Sequence, residues 1–210
     1  MNGEAEALRI YHVWRIALFK AANFVVLGLS AFVASAWQGG LAADIVRESI
    51  IAAGAILVLF GMMGRLWATL YIGGRKARAL VTDGPYSITR NPLYLFSTVA
   101  AAGVGAFSGS LILSLVFAII TGVYFQFVIR REEHFLAPEF GAAFEAYAAR
   151  VPRFFPAPSL WHSPATVEAS PRHLARTFFY ALSFFVPYAL FGLARLLQEQ
   201  GVIPVLARLW

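Results

Sequence analysis

The residues best suited to chemistry lie in two short runs and one isolated position. The first run is Leu80-Val81-Thr82-Asp83-Gly84-Pro85-Tyr86-Ser87-Ile88-Thr89-Arg90-Asn91-Pro92-Leu93-Tyr94. It sets two Pro, a Gly, an Arg and two Tyr directly before an apolar stretch. Gly84-Pro85 is a turn signal, and Pro92 suits a first helical position, where its missing donor costs nothing. The second run is Arg131-Glu132-Glu133, at the end of another apolar stretch. Two adjacent carboxylates at a membrane boundary are costly unless a cation or donor meets them. The isolated position is Arg65, about two-thirds along an apolar segment, where a central arginine costs about 2.5–3.5 kcal/mol. The chemistry on offer is the holding of charged groups. No Cys is present, so thiolate nucleophiles and Cys-based metal sites are excluded. No phosphate loop, zinc-protease motif or nucleophile elbow occurs. His12, His134, His162 and His173 are scattered, so no metal site is expected.

These residues must be positioned by apolar elements. Of 210 residues, 60% are apolar and 13% charged, against about 25% charged in a soluble domain. Mean hydropathy is +0.68. A disordered chain is excluded, and a soluble globule could not bury so much apolar surface. An all-α integral membrane protein remains. Five stretches approach the length of about 20 residues that a span needs, at 16–37, 50–72, 92–107, 110–129 and 177–197. Pro187 is expected to kink the last. Ser108-Gly109-Ser110 makes a tight hairpin of the third and fourth. Gly61-Met62-Met63-Gly64 is expected to let a neighbouring helix approach.

The net charge of +6 would suggest nucleic acid in a soluble protein, but basic loops of a membrane protein explain it more simply. With the N-terminus cytoplasmic, twelve basic residues lie inside: Arg9, Arg15, Arg75, Lys76, Arg78, Arg90, Arg130, Arg131, Arg150, Arg153, Arg172 and Arg176. Only Arg47 and Arg208 lie outside. Five alternating spans then leave the C-terminus outside, in a membrane of bacterial inner (plasma) type. Segments 73–91 and 130–175 become the cytoplasmic, chemistry-bearing parts of a single membrane domain. Within the second, Phe140, Phe144 and Tyr147 share one face of an amphipathic helix, expected to lie along the headgroups. Residues 157–171, rich in Pro, Ser and Ala, read as a linker.

Gly84-Pro85-Tyr86, then Arg90-Asn91-Pro92-Leu93-Tyr94, then a helical hairpin, then Glu132-Glu133 with Leu136, resembles the isoprenylcysteine carboxyl methyltransferases and their phospholipid methyltransferase relatives. Phe140-Gly141, Tyr147, Val151-Pro152-Arg153-Phe154-Phe155-Pro156 and Arg65-Leu66-Trp67-Ala68 extend the likeness. The resemblance implies a membrane methyltransferase using S-adenosylmethionine on a lipophilic small molecule or lipid. It implies a cofactor site from Arg78, Ala79, Leu80, Val81, Tyr86, Asn91, Pro92, Leu93, Tyr94 and Glu132. It assigns catalytic positions to Arg90, Asn91, Glu132 and Glu133. Asn91 replaces the family's usual His and cannot titrate near neutrality. Val128 stands where the family has an acceptor-contacting Arg, and Phe96 where it commonly has Gly, which would narrow the site. Sterol-type reductases, which use a nicotinamide cofactor, share a similar Arg-His-Pro-x-Tyr ending but carry Asn where Leu93 stands. A non-catalytic relative is the other alternative.

Overall fold

The computed structural model describes residues 25, 27–73 and 79–210. Residues 16–24 and 26 of the expected first span therefore lie outside the described residues. Its described part is helical at 25 and 27–30 and then leaves the helix: Val33–Ser35 forms a strand, β1. It pairs in parallel with β2, Ala207–Leu209, in the register Val33 to Ala207 and Ser35 to Leu209. This small pairing ties the C-terminal tail to the chain near the first span.

Helix α1 runs from Leu41 to Ile72, starting nine residues before the expected segment. Its 32 residues extend about 48 Å, more than the ~30 Å of a hydrocarbon core. The early start follows from Gly40, whose φ of 149° halts the preceding chain, and from Asp44, favourable in a first turn. A short helix, α2, spans Pro85–Ile88, and α3 spans Pro92–Ala106. Pro occupies the opening of each, as its fixed φ favours.

Helix α4 runs from Leu111 to Arg150. It was expected to end at 129, with a separate interfacial helix beyond. The charged run continues it instead, because Arg and Glu are good helix formers. Pro138 is accommodated inside it, and the chain bends at Gly141, where φ is 49°. The Phe144 and Tyr147 stripe is covered by the protein itself: both side chains are buried, clustered with Val151, Leu80 and Leu136. The last expected span is two helices, α5 at Pro171–Leu182 and α6 at Val186–Glu199, joined by a 3-10 turn at Ser183–Phe185. The break falls directly before Pro187, as its lost donor dictates.

Among the described residues three helical stretches, Leu41–Ile72, Leu111–Arg150 and Pro171–Glu199, are long and apolar enough to cross a membrane, and Pro92–Ala106 is a shorter apolar helix. The protein is an all-α membrane protein. Helices α1 and α3 meet through small residues. A Cβ at Gly61 would stand 2.6 Å from the Phe96 carbonyl oxygen and one at Gly103 2.5 Å from that of Gly54. Such close backbone contact replaces hydrophobic driving force where lipid surrounds the helices. The helices thus have two ends. One, here the site end, carries Ile72, α2, the start of α3 and the region of Glu132. The other, the tail end, carries Leu41, the turn 107–110, Glu199 and β2.

Candidate functional site

At the site end the chain between α1 and α3 is held by the strand-like segment after α4. The Arg90 amide donates to the Pro152 carbonyl at 2.9 Å and Thr89 Oγ1 to the Phe154 carbonyl at 2.9 Å. The Ala157 amide donates to the Ile88 carbonyl at 2.8 Å, and the Gly84 amide to that of His162 at 2.8 Å. The His162 amide in turn donates to Ser87 Oγ at 3.1 Å. Residues 152–163 therefore act as a strap, and 157–163 are not a free linker. Asn91 joins this strap: its Nδ2 donates to the Arg153 carbonyl at 2.9 Å.

The strapped loop closes one wall of a cavity of about 610 Å³, within the usual range for small-molecule sites. Of the expected site residues, Ala79, Leu80, Val81, Tyr86, Arg90, Asn91, Leu93, Tyr94 and Glu132 all line it. Arg78 lies outside the described residues. Pro92 does not line the cavity; it is fully buried beneath it. Glu133 does not line it either. As a helical neighbour of Glu132 it points elsewhere, and two arginines take it. Arg153 reaches it through Nη2 at 2.8 Å and Nε at 2.9 Å, and Arg90 through Nη2 at 3.3 Å. Phe96 also stays out of the cavity; its ring packs over Gly64, between Phe60 and Trp67.

Glu132 faces the opposite way. Tyr94 Oη donates to Glu132 Oε1 at 2.7 Å, and the Tyr94 ring stacks on Phe125 at 4.6 Å. These contacts fix the carboxylate in the wall of the cavity that Arg90 also lines. Tyr86 is 5% exposed, and its hydroxyl has no hydrogen-bond partner among the described residues. Burial pushes that hydroxyl above the usual tyrosine range, with Tyr147 and Glu132 adding and Arg65 opposing. It therefore remains a proton donor across the physiological range. Tyr147 Oη donates to the Tyr86 carbonyl at 2.7 Å, which sets the ring's place. Arg90 Nε and Glu133 Oε1 are also buried without hydrogen-bond partners, although the pair lies at ion-pair distance.

Arg65 approaches from α1. Its Nη1 meets Ser97 Oγ, which itself donates to the Leu93 carbonyl at 2.6 Å. Sequence reasoning did not place Ile72, Phe135, Glu139 or Phe140 in the site, nor give Arg153 a role. The Phe140, Phe144, Tyr147 stripe was the available signal for part of this. The Arg153 contact depends on a chain reversal after Arg150 that no local pattern reveals.

The pattern of the phospholipid methyltransferase family matches residues 49–143. The chain is 39% identical over 154 residues to the cobalt-zinc-cadmium resistance protein CzcN of Cupriavidus metallidurans, covering 73% of this chain and 67% of that one. It is 40% identical over 121 residues to the nickel-cobalt-cadmium resistance protein NccN of Alcaligenes xylosoxydans, covering 58% of this chain and 56% of that one. Against the protein-S-isoprenylcysteine O-methyltransferase of Schizosaccharomyces pombe the identity is 33% over 81 residues, 39% of this chain and 34% of that enzyme. No solved structure matches. The matched span holds the Arg90 and Glu132 runs and the hairpin between them, and on these similarities the chain belongs to the phospholipid methyltransferase family, together with the isoprenylcysteine O-methyltransferases.

Proposed function

We propose that this protein transfers a methyl group from S-adenosylmethionine to a lipophilic, membrane-held acceptor. Family membership supports methyl transfer, and the site end supports the cofactor and its face. One observation carries the reading. One cavity is lined by the Glu132 carboxylate, by Arg90 and by Tyr86, whose buried hydroxyl lacks a partner among the described residues. Buried donors without partners are rare in proteins unless a ligand meets them.

The residues fit this cofactor's chemistry. When bound, S-adenosylmethionine supplies a sulfonium methyl group whose C–S bond yields to in-line attack. Glu132, fixed by Tyr94, offers negative charge to the cationic groups of such a ligand. Arg90 and the opening turn of α3, positive by its dipole, offer donors to a carboxylate. The Tyr86 and Tyr94 rings can flank the adenine or the sulfonium. Leu80, Leu93, Phe135, Leu136 and Phe140 make the remaining walls apolar, which excludes water from the reacting groups. Asn91 is engaged with the strap and cannot take a proton, so these residues serve alignment more than acid–base chemistry.

The twelve basic residues expected inside support a cytoplasmic site end and an external C-terminus, in a membrane of bacterial inner type. The test is incubation of membranes carrying the protein with methyl-labelled S-adenosylmethionine, followed by separation of lipids, proteins and small molecules. Label in a lipophilic fraction, lost in Glu132→Ala membranes, is expected. Absence of label from every fraction, or preferential binding of NADPH by the purified protein, overturns the proposal.

A further inference from the structure

Glu133 stands outside the site-end cavity, and the two arginines that take it are not equivalent. Arg153 gives both of its contacts to Oε2, through Nη2 at 2.8 Å and Nε at 2.9 Å. Arg90 comes only to Oε1, with Nη2 at 3.3 Å, and makes no hydrogen bond to it. Short charge-assisted hydrogen bonds are the strong ones, so Arg153 is the main holder of the carboxylate. Of the two cations, Arg90 lines the cavity and Arg153 does not. The Arg90 side chain is 12% exposed, against 42% for Arg153, so water screens the outer cation and leaves the inner one to the cavity. The Arg90 Nε is buried with no hydrogen-bond partner among the described residues. Two cations around one carboxylate carry a net positive charge, and the geometry leaves that charge on Arg90. The backbone fixes this arrangement. The Arg90 amide donates to the Pro152 carbonyl and Asn91 Nδ2 to the Arg153 carbonyl, both at 2.9 Å. Position 153 is thereby pinned beside 90 and 91, and its side chain reaches back to Glu133 on α4.

We infer that Arg153 is a positioning residue for the cofactor site: by drawing Glu133 to itself it keeps Arg90 from being neutralised, and so leaves the Arg90 guanidinium to receive the cofactor's carboxylate. This rests on the methyl-transfer reading and adds a residue outside the cavity that sets the charge inside it. Without Arg153, the buried Glu133 carboxylate has Arg90 as its remaining cation. A buried charge stripped of a partner is costly, so Arg90 closes onto Glu133 and its fork is lost to the cavity. Glu133 is then the group whose charge has to be diverted, and not a ligand of the cofactor.

The test uses the full chain in non-ionic detergent, with S-adenosylhomocysteine as the probe and calorimetry as the readout. Arg153→Gln is expected to weaken binding about tenfold. Adding Glu133→Gln removes the charge that would capture Arg90, and the double variant is expected to return to within about threefold of the wild type. A strap-anchoring role for Arg153 alone predicts the opposite, because the double variant has lost both ends of the anchor. Should either variant fail to fold, Arg153→Lys keeps the charge but loses the fork and takes the place of Arg153→Gln in both. Its expected loss is about threefold, again removed by Glu133→Gln. Unchanged affinity in the Arg153 variant that folds, or a double variant that binds no tighter than that single variant, overturns the inference. Failure of the wild type to bind S-adenosylhomocysteine would instead sink the cofactor reading on which it rests.

Discussion

The helices enclose a cavity at each end, of about 660 Å³ at the tail end and about 610 Å³ at the site end. Both are rich in charge, and the two ends satisfy that charge differently. At the tail end Arg47 meets Asp44 at 3.0 Å and Glu48 at 3.3 Å, Arg195 meets Glu48 at 3.2 Å, and Arg208 meets Gln38. Ser110 Oγ donates to the Trp210 carbonyl and Gln198 Nε2 to that of Ala31, both at 2.8 Å. These contacts join α1, α6 and the tail. Among the described residues, one buried side-chain polar atom at this end, Trp37 Nε1, lacks a partner. At the site end three donor atoms do, Arg65 Nε, Tyr86 Oη and Arg90 Nε, while Glu133 Oε1 is met only by the ion pair with Arg90. Similar volume and similar charge therefore carry different meanings. Charges that pair with each other close a structure, whereas buried groups left without partners point to a ligand.

Breaking the site end should cost binding, and breaking the tail end should cost little. The largest effect is expected from Glu132→Ala, which removes a charged acceptor held by Tyr94. S-adenosylhomocysteine affinity should fall about 100-fold, the equivalent of roughly 2–3 kcal/mol, by calorimetry in detergent. Next is Gly61→Val, which forces a side chain against the Phe96 carbonyl and Ala100. It should lower stability by about 1–3 kcal/mol, seen as a lower thermal midpoint.

Tyr86→Phe is expected to divide the two properties. It removes a buried hydroxyl that has no partner among the described residues, so stability should hold or rise slightly, while ligand affinity falls by about 1 kcal/mol. The raised Tyr86 pKa adds a sign. Below the ordinary tyrosine value of about 10 the group contributes its full stabilisation. As pH rises above that value the unfolded chain loses this proton first and the folded state loses stability. Alkaline thermal melts of Tyr86→Phe should show less of that loss. The smallest effect belongs to Arg195→Ala at the tail end. Its pair with Glu48 is largely exposed, so stability should change by no more than about 0.5 kcal/mol, with ligand affinity unchanged.

Much of this division was legible in the residues. The order of Tyr86, Arg90, Tyr94 and Glu132 around a hairpin, and Pro at the opening of α2 and α3, are local patterns, and the structure brings those residues to one cavity. What escaped was long-range. The pairing of β1 with β2 joins residues about 170 positions apart, and no periodicity in 33–35 marks a strand. The roles of Glu132 and Glu133 separate because Tyr94 holds the first at the cavity while Arg90 and the returning Arg153 take the second. The helix past Arg130 was mistaken for a boundary because charge ends a hydropathy window without ending a helix.

The account turns on the site end being a cofactor cavity, and calorimetric titration of the purified wild type with S-adenosylmethionine and S-adenosylhomocysteine tests it directly. The expected result is saturable binding of both, abolished or severely weakened in Glu132→Ala and intact in Arg195→Ala. Undetectable binding of both ligands at millimolar concentration, or equal binding by the wild type and Glu132→Ala, would contradict it.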